Sequence, residues 1–511
     1  MAISIIQSRA SLGIKAPLVT VEVHLSRGLP SFSIVGLPEV SVRESRERVR
    51  SAIINSNLTF PVKKIIVNLA PADLPKEGTR FDLPIALGIL VASNQIKKEL
   101  LQECEFIGEL GLHGTIRTIS GVIPFALAGK ENGKIAVFPA ENLNETRLIS
   151  NARFLAPKNL AELIERLNGR SNTLPIITTP AKVPMMIQED NRFINDLVEV
   201  CGQQHAKFAL EVAASGGHHL LLLGPPGSGK TMLASRFLSI FPAMNEKEAV
   251  ETAAIYSIGR KRSISQNWGK RPYRSPHHTA SCVALIGGGH PIAPGEISLA
   301  HNGVLFLDEL SEFKSAALEA LREPLERQTI TISRAAGQQE FPCNFRLIAA
   351  MNPCPCGYHG DSEGRCNCTP FQIARYLKKI SGPILDRIEI QIFVNRLERV
   401  SLQSESNTTS QDIRNRVIRA QNRALSRRGF LNGALPNRLL KNSVPMSKNA
   451  EKALSSLSQT KILSMRSHVI IIRLALTISD LEEGEEIIRS RHLAQALTLR
   501  QGGEILQNFP S

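Results

Sequence analysis

Apolar residues follow three successive rhythms along this chain. Up to about residue 171, short runs rich in β-branched residues (Val19–Leu25, Phe32–Val35, Lys64–Leu69, Ile135–Phe138) alternate with stretches of helical spacing such as Val42–Ser56 and Pro84–Ser93. Interleaved strands and helices predict a compact α/β or α+β domain. The tract 172–190 follows, with little periodicity and three prolines in NTLPIITTPAKVP, and reads as a linker. From 191 to 395, short and wholly apolar runs (His219–Leu223, Gly303–Leu307, Arg346–Ala350, Glu389–Val394) alternate with helical patterns. Unbroken apolar strands are expected where a parallel sheet is covered on both faces. Beyond residue 396 the pattern is helical, over Asp412–Arg427, Lys448–Ser458, Ser464–Glu482 and Arg489–Gly502. The expected architecture is therefore an α/β chain of three units, 1–171, 191–395 and 396–511.

Charge and cysteine placement narrow the function classes. Lys and Arg total 61 against 46 Asp and Glu, a net charge of +15, which favours a polyanionic partner, nucleic acid before membrane. The longest apolar stretches, Leu83–Ala92 and Val469–Leu476, fall well short of the roughly 20 residues that span a bilayer. MAISIIQSRASLG does not read as a secretory leader, so the expectation is a cytoplasmic protein without a membrane partner. Of 8 cysteines, Cys354, Cys356, Cys366 and Cys368 cluster as C-x-C and C-x-C around a polar, Gly-rich loop (354–368). Four thiolates at this spacing suit a structural Zn²⁺.

The sharpest signal is Gly224-Pro225-Pro226-Gly227-Ser228-Gly229-Lys230-Thr231, which matches G-x-x-x-x-G-K-[ST] between an apolar run and a helical pattern. In that context the loop's N–H groups curl around phosphate oxygens and the helix N-terminus adds partial positive charge. Lys230 would reach the β- and γ-phosphates of ATP, and Thr231 would ligate Mg²⁺. Val304–Leu307 then delivers Asp308 to the Mg²⁺ shell, and Glu309 is placed to polarise the attacking water. Asn352, at the end of Leu347–Met351, is the expected residue to orient that water.

Between Thr252 and Gly295 there is no Asp or Glu, but Arg260, Lys261, Arg262, Lys270, Arg271 and Arg274 lie there with Trp268 and Tyr273 among them. Cations that neutralise phosphates beside rings that stack bases suit DNA, single-stranded or branched. His277 and His278 in the same stretch read as structural. A hairpin is expected between Thr329–Ser333 and Glu340–Ile348, its uncharged tip at Ala335–Gln339 offering Gln338 as a second contact.

RPYRSPHHTAS (Arg271–Ser281), PGEISLAHNGVLFLDEL (Pro294–Leu310), LREPLE (Leu321–Glu326), AAMNPCPCG (Ala349–Gly357) and SGPILDRIEI (Ser381–Ile390) together resemble the magnesium-chelatase-like branch of AAA+ ATPases. The resemblance implies an AAA+ P-loop core with a parallel sheet and a C-terminal helical lid. It implies Asn352 as sensor 1, Arg387 as an arginine finger reaching a neighbouring subunit, Arg466 as the sensor-2 arginine of the lid, and a homo-hexamer. Leu476 stands where an arginine is common in the branch. The first unit (Pro71–Leu90, Ile107–Asn142) resembles the Lon-protease α+β domain, but Arg80 stands where the nucleophilic serine is expected and Ile123 near the place of the lysine. Neither can be acylated or act as base, so peptidase chemistry is not expected, and Thr79 is one position away. Competence-linked members of the branch imply an ATP-driven DNA motor that promotes branch migration in transformation and recombination. A chelatase-type motor acting on a protein partner is the alternative.

Overall fold

The computed structural model describes residues 2–97, 100–169, 175–182, 196–259, 264–334, 337–360, 364–396, 408–442, 444–460, 464–482 and 487–502. In the first domain one sheet has the spatial order Ala2–Arg9, Leu18–Ser26, Lys64–Ala70, Ser31–Val35. Its pairings are antiparallel except for Ser31–Val35, which runs parallel to Lys64–Ala70. Along Leu18–Ser26 the residues Val19, Val21, Val23 and Leu25 are buried, so the period-two alternation sends one face inward. The helix Asp82–Ala92 is buried at every residue, which explains why it carries no polar face.

A second sheet is ordered Ile177–Thr178, Arg153–Leu155, Ile135–Val137, Cys104–Phe106. Ile177 and Thr178 fall in the expected linker but add an edge strand to the first domain, and Thr179, which is buried, donates its hydroxyl to Ile149 O at 2.6 Å. Val42–Ser56, read as one helix, is two, Val40–Arg43 and Ser45–Asn55. Ser45 opens the second and bonds Asp82.

The central domain holds five strands, all parallel, in the order Tyr273–Arg274, Val304–Leu307, Arg346–Met351, Leu220–Leu223, Ile390–Phe393. Leu220 and Leu222 join one apolar cluster, and Leu221 and Leu223 another on the opposite face. This is why the run is unbroken leucine rather than alternating. The expected hairpin pairs Thr329–Arg334 with Gly337–Pro342, so its second arm is shorter than anticipated; Arg346–Met351 belongs to the main sheet. Ala335 and Ala336 lie outside the described residues.

The lid helices Ser410–Arg428 and Met465–Leu481 pack on Gln204–Gly216 through Ile413, Val417, Leu474 and Ile478. Thr409 and Asp412 cap the first reciprocally, and Gly429 ends it in the left-handed region. The helix expected over Arg489–Gly502 is shorter, Ser490–Thr498. The first and central domains share an apolar core in which Ile123, Phe125 and Phe138 meet Met244, Ala249, Ala253 and Trp268. Gly121 N donates to Ser257 O across that junction at 2.8 Å. No helix among the described residues is long and apolar enough to cross a membrane.

Candidate nucleotide-hydrolysis site

Strand Leu220–Leu223, loop 224–229 and helix Lys230–Ser235 form the strand–loop–helix unit that the motif requires. A Cβ at Gly224 would stand 2.3 Å from Val394 O, so only glycine lets the loop leave the sheet beside the next strand. Lys230 Nζ folds over the loop, donating to Gly224 O at 2.7 Å and Pro225 O at 2.9 Å. Burial pushes its ammonium down to about 8, a cost that phosphate oxygens would offset. Ser228 Oγ is buried with no partner among the described residues, a spare donor at the cradle's floor. The helix read over Met232–Phe241 breaks at Arg236, whose guanidinium binds Glu199.

Asp308 follows Val304–Leu307, and its Oδ2 accepts from Thr231 Oγ1 at 2.8 Å. A hydroxyl and a carboxylate oxygen this close are the pair of hard oxygen donors that a Mg²⁺ accompanying the triphosphate takes up. Asp308 Oδ1 accepts the Glu309 amide at 2.9 Å, and Glu309 has a φ of 51°, rare for a side chain of this size. Asn352 Oδ1 lies 3.3 Å from Lys230 Nζ. Lys230, Asp308, Glu309 and Asn352 line one cavity of about 540 Å³, together with Gln372, Arg375, Tyr376 and Lys379. No motif in the chain singles out those last four. They are carried by the helix Pro370–Leu377 and the residues just after it. Arg396 was missed as well; it clasps Pro226 O through Nε at 3.1 Å and Nη2 at 2.8 Å.

The four clustered cysteines converge. Their Sγ atoms all lie within 4.8 Å of one another, with Cys354–Cys356 at 3.3 Å, Cys356–Cys366 at 3.6 Å and Cys354–Cys366 at 3.8 Å. Thiolates about 2.3 Å from a tetrahedral zinc stand about 3.8 Å apart, so the set fits such an ion. The loop rests on the phosphate cradle: a Cβ at Gly357 would be 2.7 Å from Pro226 Cδ.

Arg387 and Arg466 are not among the residues that line this cavity. Both turn to Glu326, which pairs with Arg387 Nη2 and lies 3.8 Å from Arg466 Nη1.

The basic stretch is less open than its composition suggests. Arg260, Lys261 and Arg262 lie outside the described residues. Trp268 is 5% exposed in the interdomain core, so its ring is not presented to a base. Arg271 stacks on Phe241 and pairs with Glu248 at 3.0 Å. Arg274 is held by both oxygens of Glu296, at 2.5 and 2.6 Å. Lys270 is exposed. Gln338 is exposed too, whereas Gln339 is buried and accepts from the Gly13 amide at 3.2 Å. In the first domain, Arg80 is buried with Nη2 on Ser120 O at 2.9 Å, and Ile123 is buried beyond it. Thr79 donates to the Glu109 carboxylate at 2.5 Å, with no lysine in that contact.

Three family descriptions match the chain. "Magnesium chelatase, subunit ChlI" covers residues 196–402, "Subunit ChlI of Mg-chelatase" covers 21–142, and "Magnesium chelatase, subunit ChlI C-terminal" covers 407–500. The chain is 46% identical to competence protein ComM of Haemophilus influenzae, over 100% of this chain and 99% of that one. It is 42% identical to the uncharacterized protein YifB of Escherichia coli, over 98% and 97%. Lon protease 2 of Bacillus subtilis is 25% identical over 38% of this chain and 40% of its own.

Proposed function

Since the chain belongs to the magnesium-chelatase subunit ChlI family of AAA+ proteins, we propose that its ATPase drives DNA: a cytoplasmic homo-hexameric motor that promotes branch migration during transformation and recombination. The observation that carries this reading is the full-length likeness to a competence protein in a chain of net charge +15. Competence concerns DNA taken up by the cell, and excess positive charge supplies nonspecific phosphate affinity.

In the hydrolytic cycle, the loop amides of 224–229 and Lys230 hold the triphosphate, while Thr231 and Asp308 take its Mg²⁺. Glu309 accepts a proton from the attacking water, and Asn352 fixes that water against the γ-phosphate. Arg387 and Arg466, gathered on Glu326 away from their own cavity, serve the neighbouring subunit's nucleotide. A guanidinium suits that task because it stays charged and matches phosphate oxygens in pairs. Cys354, Cys356, Cys366 and Cys368 would hold a structural Zn²⁺, which would supply folding energy to the loop beside Asn352. Arg260, Lys261, Arg262 and Lys270 are the basic residues that meet the DNA backbone in this reading, while Arg271 and Arg274 are engaged by Glu248 and Glu296. Arg80 and Ile123 leave the first domain as scaffold or collar rather than peptidase.

The deciding experiment is the ATPase rate with and without single-stranded, duplex and branched DNA. Stimulation by branched or single-stranded DNA is expected. Stimulation by none would move the assignment to a chelatase-type motor working on a protein partner.

A further inference from the structure

Glu39, Glu77 and His290 meet where the first domain touches the central one. Glu39 precedes the helix Val40–Arg43, and its amide donates to Lys76 O at 3.4 Å. Pro38 and Lys76 also pair as a parallel bridge, so the two segments present Glu39 and Glu77 side by side. His290 comes from the central domain, in the turn of a short hairpin that pairs Gly287–Gly288 with Ala293–Pro294. One oxygen of each carboxylate and a ring nitrogen of His290 all lie within 4.8 Å of one another. The three groups are gathered without bonding one another. His290 Nε2 is 3.6 Å from Glu39 Oε1, beyond hydrogen-bond reach. Among the described residues neither carboxylate accepts a hydrogen bond. Arg80, the cation that faces Glu77, is buried and directs its Nη2 to Ser120 O. Both carboxylates are half-buried, so their mutual repulsion is only partly screened, and a divalent cation between them would remove it.

We propose that Glu39, Glu77 and His290 form a metal site of their own, which binds a divalent transition-metal ion and ties the hairpin turn of the central domain to the first domain. Ligands about 2.1 Å from a tetrahedral ion stand about 3.4 Å apart, close to the 3.6 Å between His290 and Glu39. His290 is exposed, so its ring has room to close on Glu77 and water can complete the shell. The donor set selects the ion: an imidazole with two carboxylates suits Zn²⁺, whereas Mg²⁺ and Ca²⁺ take oxygen ligands. No residue of the cysteine cluster or of the nucleotide cavity takes part.

The test counts zinc taken up by the full chain, without nucleotide, in equilibrium dialysis read by plasma emission. Uptake is measured as the increment over the metal that the purified chain already carries. The parent should gain one further ion per chain at micromolar free Zn²⁺, and excess Mg²⁺ should not displace it. Glu77→Gln and His290→Ala should each weaken that uptake about tenfold or more, since losing even an outer-shell partner weakens metal binding that much. Glu131→Gln, at an exposed position of the same domain, should bind as the parent does. Melting temperatures check that each variant folds; should Glu77→Gln not fold, His290→Ala decides, because its side chain is exposed. No further ion in the parent, equal uptake by parent and His290→Ala, or displacement by Mg²⁺ would each overturn the proposal.

Discussion

The contact between the cysteine loop and the phosphate cradle can be tested with one added methyl group. Gly357 has a φ of 86°, and a Cβ there would lie 2.7 Å from Pro226 Cδ and 2.9 Å from its Cγ. Carbon atoms rest comfortably about 3.5–4.0 Å apart, so roughly 0.8 Å of relief is needed. The proline ring has no rotamer to yield with. The left-handed backbone alone costs about 1–2 kcal/mol for alanine, and the overlap adds about 1–3 kcal/mol. Gly364 is the matched control in the same loop: its φ is 62°, and nothing lies within 4 Å of its Cβ position. Gly364→Ala should thus incur the strain term alone, while Gly357→Ala also displaces the cradle. If the overlap term falls on nucleotide binding, affinity drops about 5- to 150-fold, at about 1.4 kcal/mol per tenfold. The assay is fluorescence titration with a nucleotide analogue, with metal content and melting temperature measured on each variant. Gly364→Ala should bind as the parent does. Equal nucleotide affinity in the two variants would refute the idea that the loop braces the cradle.

Lys230→Ala should abolish nucleotide binding, whereas Glu309→Gln should bind and lose about 10²–10⁴ in hydrolysis, the usual worth of a general base; parental turnover in the latter sinks that role. Arg387→Ala mixed with Lys230→Ala should recover part of the ATPase through interfaces that hold an intact cradle and an intact finger, and no recovery in demonstrably mixed rings argues against action across the interface. Protein purified without chelator should contain about one zinc per chain by plasma emission, and stripping it should destabilise the loop beside Asn352; a content far below one rejects the site. His218 is buried and His219 half-buried; desolvation pushes both imidazoles down to about 3, helped by Arg473 and Arg346 at the first and by Arg346 at the second. They are neutral in the native state and take up protons near pH 6.5 only on unfolding. The histidine contribution to stability should therefore be flat above that pH and fall below it, by up to about 1.4 kcal/mol per pH unit for each histidine. Denaturation midpoints from pH 7.5 to 4.5 read this out, and His219→Asn should roughly halve the slope.

Local chemistry was legible in the sequence because it is contiguous. The leucine run, the glycines and Lys230-Thr231 occupy adjacent positions, and a strand that ends in Asp308-Glu309 can deliver its carboxylates in only one direction. The period-two and helical rhythms likewise placed the main strands and the lid. What the tertiary structure decided is pairing across long separations. Glu248 and Glu296 stand just outside the window Thr252–Gly295 that looked free of acid, yet they engage Arg271 and Arg274. Trp268, read as a stacking platform, is buried because the first domain covers it. Glu326 gathers Arg387 and Arg466, and His278 finds Glu309, through contacts that no spacing rule encodes. Composition counts charges within a stretch of chain, but an ion pair or a buried ring depends on which distant segment the fold brings within a few ångströms. For this protein the sequence therefore determined which groups could be gathered around the loop 224–229, and the packing decided which cations and rings of the basic stretch are engaged internally.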